Sequence, residues 1–290
     1  MPGGLSYGAG MAVAVVTDSS AYLPPELAAG ITVVPLTVVL GGVDGDDGAD
    51  VTPAQVAAAL AERRAVTTSR PPPERFARIY RGLFEAGAAG IVSVHLSAKL
   101  SGTYDSAVLA AAEVDSARIR VVDARSAGMG LGFCARAAGG AAAGGADLAA
   151  VSRAATEAVS RTSTFFYVDT LEFLRRGGRI SAASALLGTA LSVKPILRVV
   201  DGAIVAWDKV RTASRALERL VDLAVDTAGG SGVDLAVHHL AAAERARGVT
   251  DALLGRLGDR VRHHWTSEVG AAVAAHVGPG LAGVVVHRLD

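Results

Sequence analysis

Cysteine is almost missing from this chain: Cys134 is the single one among 290 residues. One thiol cannot build an intramolecular disulfide framework or a thiolate zinc cluster, and in an apolar helical stretch it reads as a small buried hydrophobe. Aromatic residues make up only 4%, which argues against the stacking platforms that grip single-stranded nucleic acid. An excess of either charge is missing too. Lys and Arg number 28, and so do Asp and Glu; no global field pulls the chain onto nucleic acid or anionic lipid, although a local basic patch stays open. Long apolar runs are also lacking. The longest uncharged stretch, residues 269–286, is broken by Gly278-Pro279-Gly280, and the others are too short or too charged to span a bilayer. Residues 1–11 hold no Lys or Arg ahead of the apolar run 12–16, unlike a secretory leader. A soluble, cytoplasmic protein is expected.

What the chain does have is aliphatic mass. Hydrophobic residues reach 51%, enough for a large core and too many for a disordered chain. The length exceeds the roughly 100–200 residues of a usual domain, so two domains are expected. In the first half, residues 12–16, 31–40, 90–95 and 118–123 read as strands and 44–50 as turn-rich. Residues 52–63, 74–86 and 103–114 read as helices, and a long Ala/Gly-rich helical region runs to about Gly145. Thr52-Pro53-Ala54-Gln55 is a capping box with proline at the first helical position. This alternation implies a mostly parallel sheet covered on both faces, with a ligand crevice beyond the carboxyl ends of its strands. Residues 17–20 and 97–103 follow strands directly and should line that crevice.

The second half differs. Residues 165–168 read as a strand, 171–176 and 181–188 as helical, and 192–199 with 203–207 as an antiparallel hairpin turning at Asp201-Gly202. Helices at 213–228 and 241–257 and strands at 233–238, 260–265 and 283–288 complete it. The expected architecture is a three-layer α/β/α N-terminal domain over residues 11–162. A C-terminal α+β domain with a mixed or antiparallel sheet follows over 163–290.

Three familiar patterns match without a supporting context. Gly4-Leu5-Ser6-Tyr7-Gly8 fits a nucleophile elbow but precedes the first strand instead of joining a strand to a helix. Residues 278–283 fit a dinucleotide glycine pattern but run into a terminal strand with no helix beyond. His238-His239 and His263-His264 are adjacent pairs, whose side chains diverge in a strand and lack metal-site spacing. No GxxxxGKS/T loop occurs, which counts against an autonomous P-loop enzyme.

What remains is a set of small hydroxyl residues at strand ends. Pro71 holds Thr67-Thr68-Ser69-Arg70 extended. Residues 97–103 lead into a helix whose N-terminus favours an anion; ordinary helix capping by Ser101 is the competing reading. His276, two residues before the Gly-Pro-Gly turn, is either structural or a third polar group. Hydroxyls and a histidine converging on one point would suit a carboxylate.

Several segments carry a likeness when taken in chain order. Val15-Val16-Thr17-Asp18-Ser19-Ser20, Thr68-Ser69-Arg70-Pro71 and residues 95–104 come first. Residues 121–126, 128–132, 168–181 and 193–197 follow, then Asp201-Gly202, Lys209-Val210-Arg211-Thr212 and residues 275–280. Together they resemble the DegV family of bacterial fatty-acid-binding proteins over about residues 12–290. The block Gly177-Gly178-Arg179-Ile180-Ser181 with the terminal His276 motif is the specific part. The resemblance implies a two-domain α/β protein with one long acyl chain buried between the domains, and no cofactor or metal. It implies that Thr68, Ser101 and His276 hold the fatty-acid carboxylate. Ser69, Ser97, Arg179, Arg211 and Gly278 would then be secondary ligand or partner contacts.

Relatives present the fatty acid to a separate kinase, which phosphorylates the carboxylate to an acyl phosphate for phospholipid synthesis. On this reading the chain is a carrier subunit and not an enzyme, with no nucleic-acid partner and at most transient membrane contact. Two positions depart from the family pattern. Arg70 stands where relatives usually carry Gln, setting a permanent cation beside Thr68, and Ala98 replaces a common Ser. Two other readings stay open. An acyl hydrolase using Ser101 with His276 as base would need a group to orient the histidine and an oxyanion hole. A carrier for another apolar carboxylic acid would keep the architecture and change the ligand.

Overall fold

The computed structural model describes residues 13–180 and 193–290. The expected helix at 181–188, the first residues of the expected hairpin strand and the pattern at residues 4–8 lie outside the described residues. The chain starts with β1 (Val13–Asp18) and β2 (Ile31–Val34), then a hairpin of β3 (Thr37–Leu40) and β4 (Val43–Asp46), helix α1 (Pro53–Ala61) and β5 (Val66–Ser69). Helix α2 (Pro73–Glu85), β6 (Gly90–His95), α3 (Thr103–Val114) and β7 (Ile119–Asp123) alternate before α4 (Met129–Ala143) and α5 (Leu148–Arg161).

Strands β2-β1-β6-β7 form a four-stranded sheet in which every pair is parallel. The side chains of β1 show why it takes helices on both faces. Val13 and Val15 enter one apolar cluster with residues of α4 and α5, while Ala14 and Val16 enter another with α2 and α3. A strand buried on both faces reads as a continuous apolar run, which is what residues 13–16 are. The capping box is present: Thr52 N donates to Gln55 Oε1 at 2.8 Å and Gln55 N to Thr52 Oγ1 at 3.3 Å, with Pro53 opening α1.

Two expectations for this half are corrected. The extended run 31–40 is two strands in different sheets, because Pro35 has no N–H for a ladder and the chain changes sheet there. The turn-rich segment 44–50 contributes β4, so that β4-β3-β5 make a separate antiparallel sheet of three strands. That small sheet places Thr68 opposite Val38.

The rest of the chain runs through β8 (Thr162–Tyr167), α6 (Glu172–Arg176), β9 (Lys194–Val200), β10 (Ala203–Val210), α7 (Ala213–Ala228) and β11 (Val233–His239). Helix α8 (Ala243–Leu257), β12 (Val261–Glu268), α9 (Ala271–Val277) and β13 (Ala282–Arg288) follow. The six strands pair in the order β10-β9-β8-β13-β11-β12, antiparallel except for β11 with β12. The β9–β10 hairpin turns at Asp201-Gly202, both with positive φ (47° and 82°). That pair of left-handed residues suits a two-residue type I′ connection, whose twist matches the strands it joins.

One face of this sheet packs under α7 and α8 through Phe165, Tyr167, Ile196, Val284 and Val286. The other face, with Phe166, Leu197 and Ile204, shares a core with α9, α1 and Val38 of the three-stranded sheet. The seam between the N-terminal and C-terminal parts is therefore itself apolar. Polar ties flank it. Ser97 Oγ donates to Gly202 O at 2.7 Å, and Met129 N donates to His238 Nε2 at 3.0 Å. Arg136 of α4 reaches buried Asp234 of β11, which also pairs with Arg262 and His263. Burial pushes the Asp234 carboxyl up, but these donors outweigh it and hold the carboxyl at about 2.

Candidate functional site

Three segments far apart in sequence meet at one end of the seam. Thr68 sits on β5, Ser101 in the loop between β6 and α3, and His276 in the last turn of α9. Thr68 Oγ1 lies 2.8 Å from His276 Nε2. Ser101 Oγ lies 2.9 Å from Thr103 Oγ1 and accepts from Thr103 N at 3.3 Å. It therefore serves the first turn of α3 and faces the same cavity as the other two. Ser101 is not the cap expected as the competing reading: the N-cap of α3 is Gly102, and the Ser101 hydroxyl makes a local contact to Thr103 N while it lines the cavity.

That cavity, of about 80 Å³, is walled mostly by Leu36, Leu96, Leu100, Leu174, Ile204 and Val273, with polar groups from Ser20, Thr68, Ser101, Arg179 and His276. Leu100, Ala127, Ile204, Val273 and Val277 also line a second cavity of about 80 Å³, which runs on between Phe166, Leu281 and Val284. A polar head and an apolar body thus lie end to end. On the solvent side, Thr68, Arg179 and His276 border a vestibule of about 330 Å³ that also touches Thr67, Phe173 and Arg176.

The electrostatics of the head follow from burial. Desolvation, helped by the positive charge of Arg179, pushes the His276 imidazole down to about 4, so it is neutral at pH 7. Burial also lowers the Arg179 guanidinium from its usual value. Arg179 Nε donates to Leu100 O at 3.1 Å and its Nη1 to Gly177 O, which fixes the cation at the cavity edge. Gly177 makes room for the imidazole: a Cβ there would lie 2.4 Å from His276 Nδ1.

The secondary candidates fall in different places. Arg179 lines the cavity. Ser69 is exposed, because alternation along β5 turns it away from the face of Thr68. Ser97 is buried, and its hydroxyl is engaged by Gly202 O and Lys99 N. Gly278 is covered by the Phe173 ring, which would lie 2.1 Å from a Cβ. Arg211 is exposed just before the Thr212 cap of α7, away from the cavity lining. Of the departures, Ala98 is exposed, and Arg70 lies across Gly102, where a Cβ would be 2.6 Å from its guanidinium. The cation therefore sits beside the Ser101 loop, on its outer side.

Of residues 17–20, expected together at the crevice, Ser20 alone lines the cavity. Asp18 points inward and acts as a hub. It accepts from Ser20 N at 3.1 Å, Ser20 Oγ at 2.5 Å and Leu96 N at 3.0 Å, and pairs with His95 Nδ1 at 3.0 Å. Buried Ser93 and Tyr80 continue this line of hydrogen bonds from His95. The crevice expectation thus holds for Ser20, while the inward network of Asp18, His95, Ser93 and Tyr80 has no counterpart in the sequence reading. Its signal was present, since a polar Thr-Asp-Ser-Ser run ending a buried strand needs internal partners.

Ser101 Oγ bonds Thr103, whereas the hydroxyl that meets His276 belongs to Thr68. The nucleophile–base contact that a hydrolase using Ser101 and His276 would need is thus not the one formed. Among the described residues there is no cluster of His, Cys, Asp and Glu fit to hold a metal ion. Nor is any helix among them long and apolar enough to cross a membrane.

Comparison with known proteins bears on this geometry. The family model described as "Uncharacterised protein, DegV family" matches residues 12–288. A DegV domain-containing protein of Streptomyces coelicolor is 54% identical over 276 residues, covering 94% of this chain and 98% of its own. A Thermus thermophilus DegV family structure, described by its fatty-acid binding, superposes with a TM-score of 0.90 at 36% identity, covering 96% of this chain and 100% of its own. The DegV structure from Bacillus subtilis, described as a fatty acid binding protein, gives a TM-score of 0.86 at 30% identity, with 96% and 100% coverage.

Proposed function

This chain belongs to the DegV family, and from that premise we propose that it carries one long-chain fatty acid along the seam, between domains of residues 11–162 and 163–290. The observation that carries this reading is the pairing of Thr68 and His276 at the head of two adjoining apolar cavities that share Leu100, Ala127, Ile204, Val273 and Val277. A neutral imidazole donates its Nε2 proton to Thr68 Oγ1, which frees the Thr68 proton for the ligand carboxylate. Ser101 supplies a second hydroxyl and Arg179 the compensating charge, so the acid head is not left buried and unpaired.

The tail supplies the affinity. Each buried methylene is worth about 0.8 kcal/mol, so a long chain offers roughly 12 kcal/mol gross before association costs. Lodging that chain requires Leu100, Ile204 and Val273, which border both cavities, to swing between staggered rotamers.

The vestibule beyond Thr68, Arg179 and His276 would let a separate kinase reach the carboxylate, make an acyl phosphate and feed phospholipid synthesis in the cytoplasm. In this scheme the nucleotide and the chemistry belong to the partner, and this chain presents the substrate. Native mass spectrometry of freshly purified protein, followed by extraction, tests the reading. A stoichiometric long-chain fatty acid is expected. A protein that carries none and fails to take one up, or that steadily hydrolyses an acyl ester, refutes it.

A further inference from the structure

At its far end the inner apolar space is separated from solvent by a wall one side chain thick. Thr164 and Val199 line the inner cavity and also an outer cleft of about 810 Å³. The strand register explains why these two share the wall. Phe166 of β8 pairs with Leu197 of β9, and both belong to the seam core. Thr164 and Val199 lie two residues further along their antiparallel strands, so alternation puts them on the same face, next to each other.

Thr164 is held in place from behind. Its Oγ1 lies 3.0 Å from Ser126 Oγ, and a Cβ on Gly130 would come within 2.8 Å of Thr164 Oγ1 and 2.1 Å of Ser126 Oγ. The first turn of α4 therefore packs directly on this hydroxyl pair. Beyond the wall the surroundings change character. The outer cleft carries Asp123, Arg125 and Asp201, the last two 3.9 Å apart as an ion pair. These charges sit among Val121, Val122 and Val159, so a methylene pushed through the wall would leave an almost wholly apolar lining for a mixed, hydrated one.

We propose that Thr164 and Val199 form the chain-length stop of the acyl chamber. This rests on the fatty-acid reading above. Methylenes inside the wall are enclosed on all sides, whereas those beyond it keep one side in solvent, so each carbon past the stop forfeits up to about a fourfold factor in relative occupancy. The Thr164–Ser126 contact favours the rotamer that closes the wall, since rotating Thr164 aside gives up that hydrogen bond.

The test offers an equimolar mixture of straight-chain saturated fatty acids of graded length to the full-length protein and reads occupancy by native mass spectrometry. The wild type should show a preferred length. Thr164→Phe thickens the wall and should move the preference to shorter chains by about two carbons, each carbon counting up to about fourfold. Thr164→Ala and Val199→Ala thin it and should move the preference to longer chains. If Thr164→Phe fails to fold, the two alanine variants carry the test. An identical length profile in the wild type and the folded variants overturns this inference while leaving the fatty-acid reading standing. Absence of any fatty acid from the wild type overturns both.

Discussion

Replacing Thr68 by Val deletes one hydroxyl and little else, and the geometry says what that hydroxyl does. Its oxygen lies 2.8 Å from His276 Nε2, and the imidazole is neutral because burial and Arg179 push it down to about 4. In the variant a bound carboxylate loses a charge-assisted hydrogen bond worth roughly 1.5–3 kcal/mol, which weakens binding about 10- to 150-fold. The empty protein also suffers, since His276 Nε2 is left without its partner at a cost of about 1–3 kcal/mol. The assay titrates wild type and variant with a long-chain fatty acid and with the alcohol of the same tail. Tail burial contributes equally to both ligands, so the acid-to-alcohol affinity ratio isolates the head. Thr68→Val should collapse that ratio and Thr68→Ser should restore it. A folded Thr68→Val protein that keeps the wild-type ratio would refute the relay from His276 through Thr68.

Acid should destabilise the fold in a defined window. Burial lowers His238, His276 and His287 to about 4 each, from an ordinary value of 6.5. Between those two values the unfolded chain binds more protons than the folded one. Stability is therefore full above about pH 6.5, is lost as the pH falls towards 4, and changes no further through these groups below it; each contributes about 3 kcal/mol. Urea midpoints measured across that range should fall, and His276→Gln should remove about a third of this histidine-linked slope; an unchanged slope contradicts the assignment. Gly177→Ala places a methyl 2.4 Å from His276 Nδ1, so fatty-acid binding should weaken while circular dichroism stays native; wild-type affinity would show that the imidazole is free to shift. Asp18→Asn sets an amide donor against the donors of Ser20 and Leu96 and should cost about 3 kcal/mol in urea denaturation. An unmoved midpoint would mean that Asp18 is not the hub of this network.

Much of the fold was legible because period and punctuation agreed. The run 12–16 reads as a strand, and within the described residues it falls in β1, buried on both faces; Thr52-Pro53-Ala54-Gln55 opens a helix as its capping chemistry requires. The Asp201-Gly202 turn likewise places a hairpin where one forms. The misreading at residues 31–40 has a simple cause. Hydropathy cannot tell one long strand from two short ones, and Pro35 marked the break without saying that the chain would change sheets. Residues 44–50 look like pure turn because their apolar content is low. β4 is held by ladder hydrogen bonds to β3 and by the Arg75–Asp46 ion pair more than by apolar burial: Val43 and Asp44 are exposed.

Local chemistry along the chain was enough for element types, helix caps, the hairpin turn and, through motif likeness, the family and the Thr68–Ser101–His276 trio as candidates. These are short-range properties, set by backbone preferences and side-chain type within a few residues. The pairing of Thr68 with His276, the depressed imidazole, the retreat of Ser69 and Ser97 from the cavity and the thin wall at Thr164 and Val199 came from the packing of distant segments. Each depends on which groups burial brings within hydrogen-bond range or strips of water, and chain order carries no information about that until the three sheets pack together.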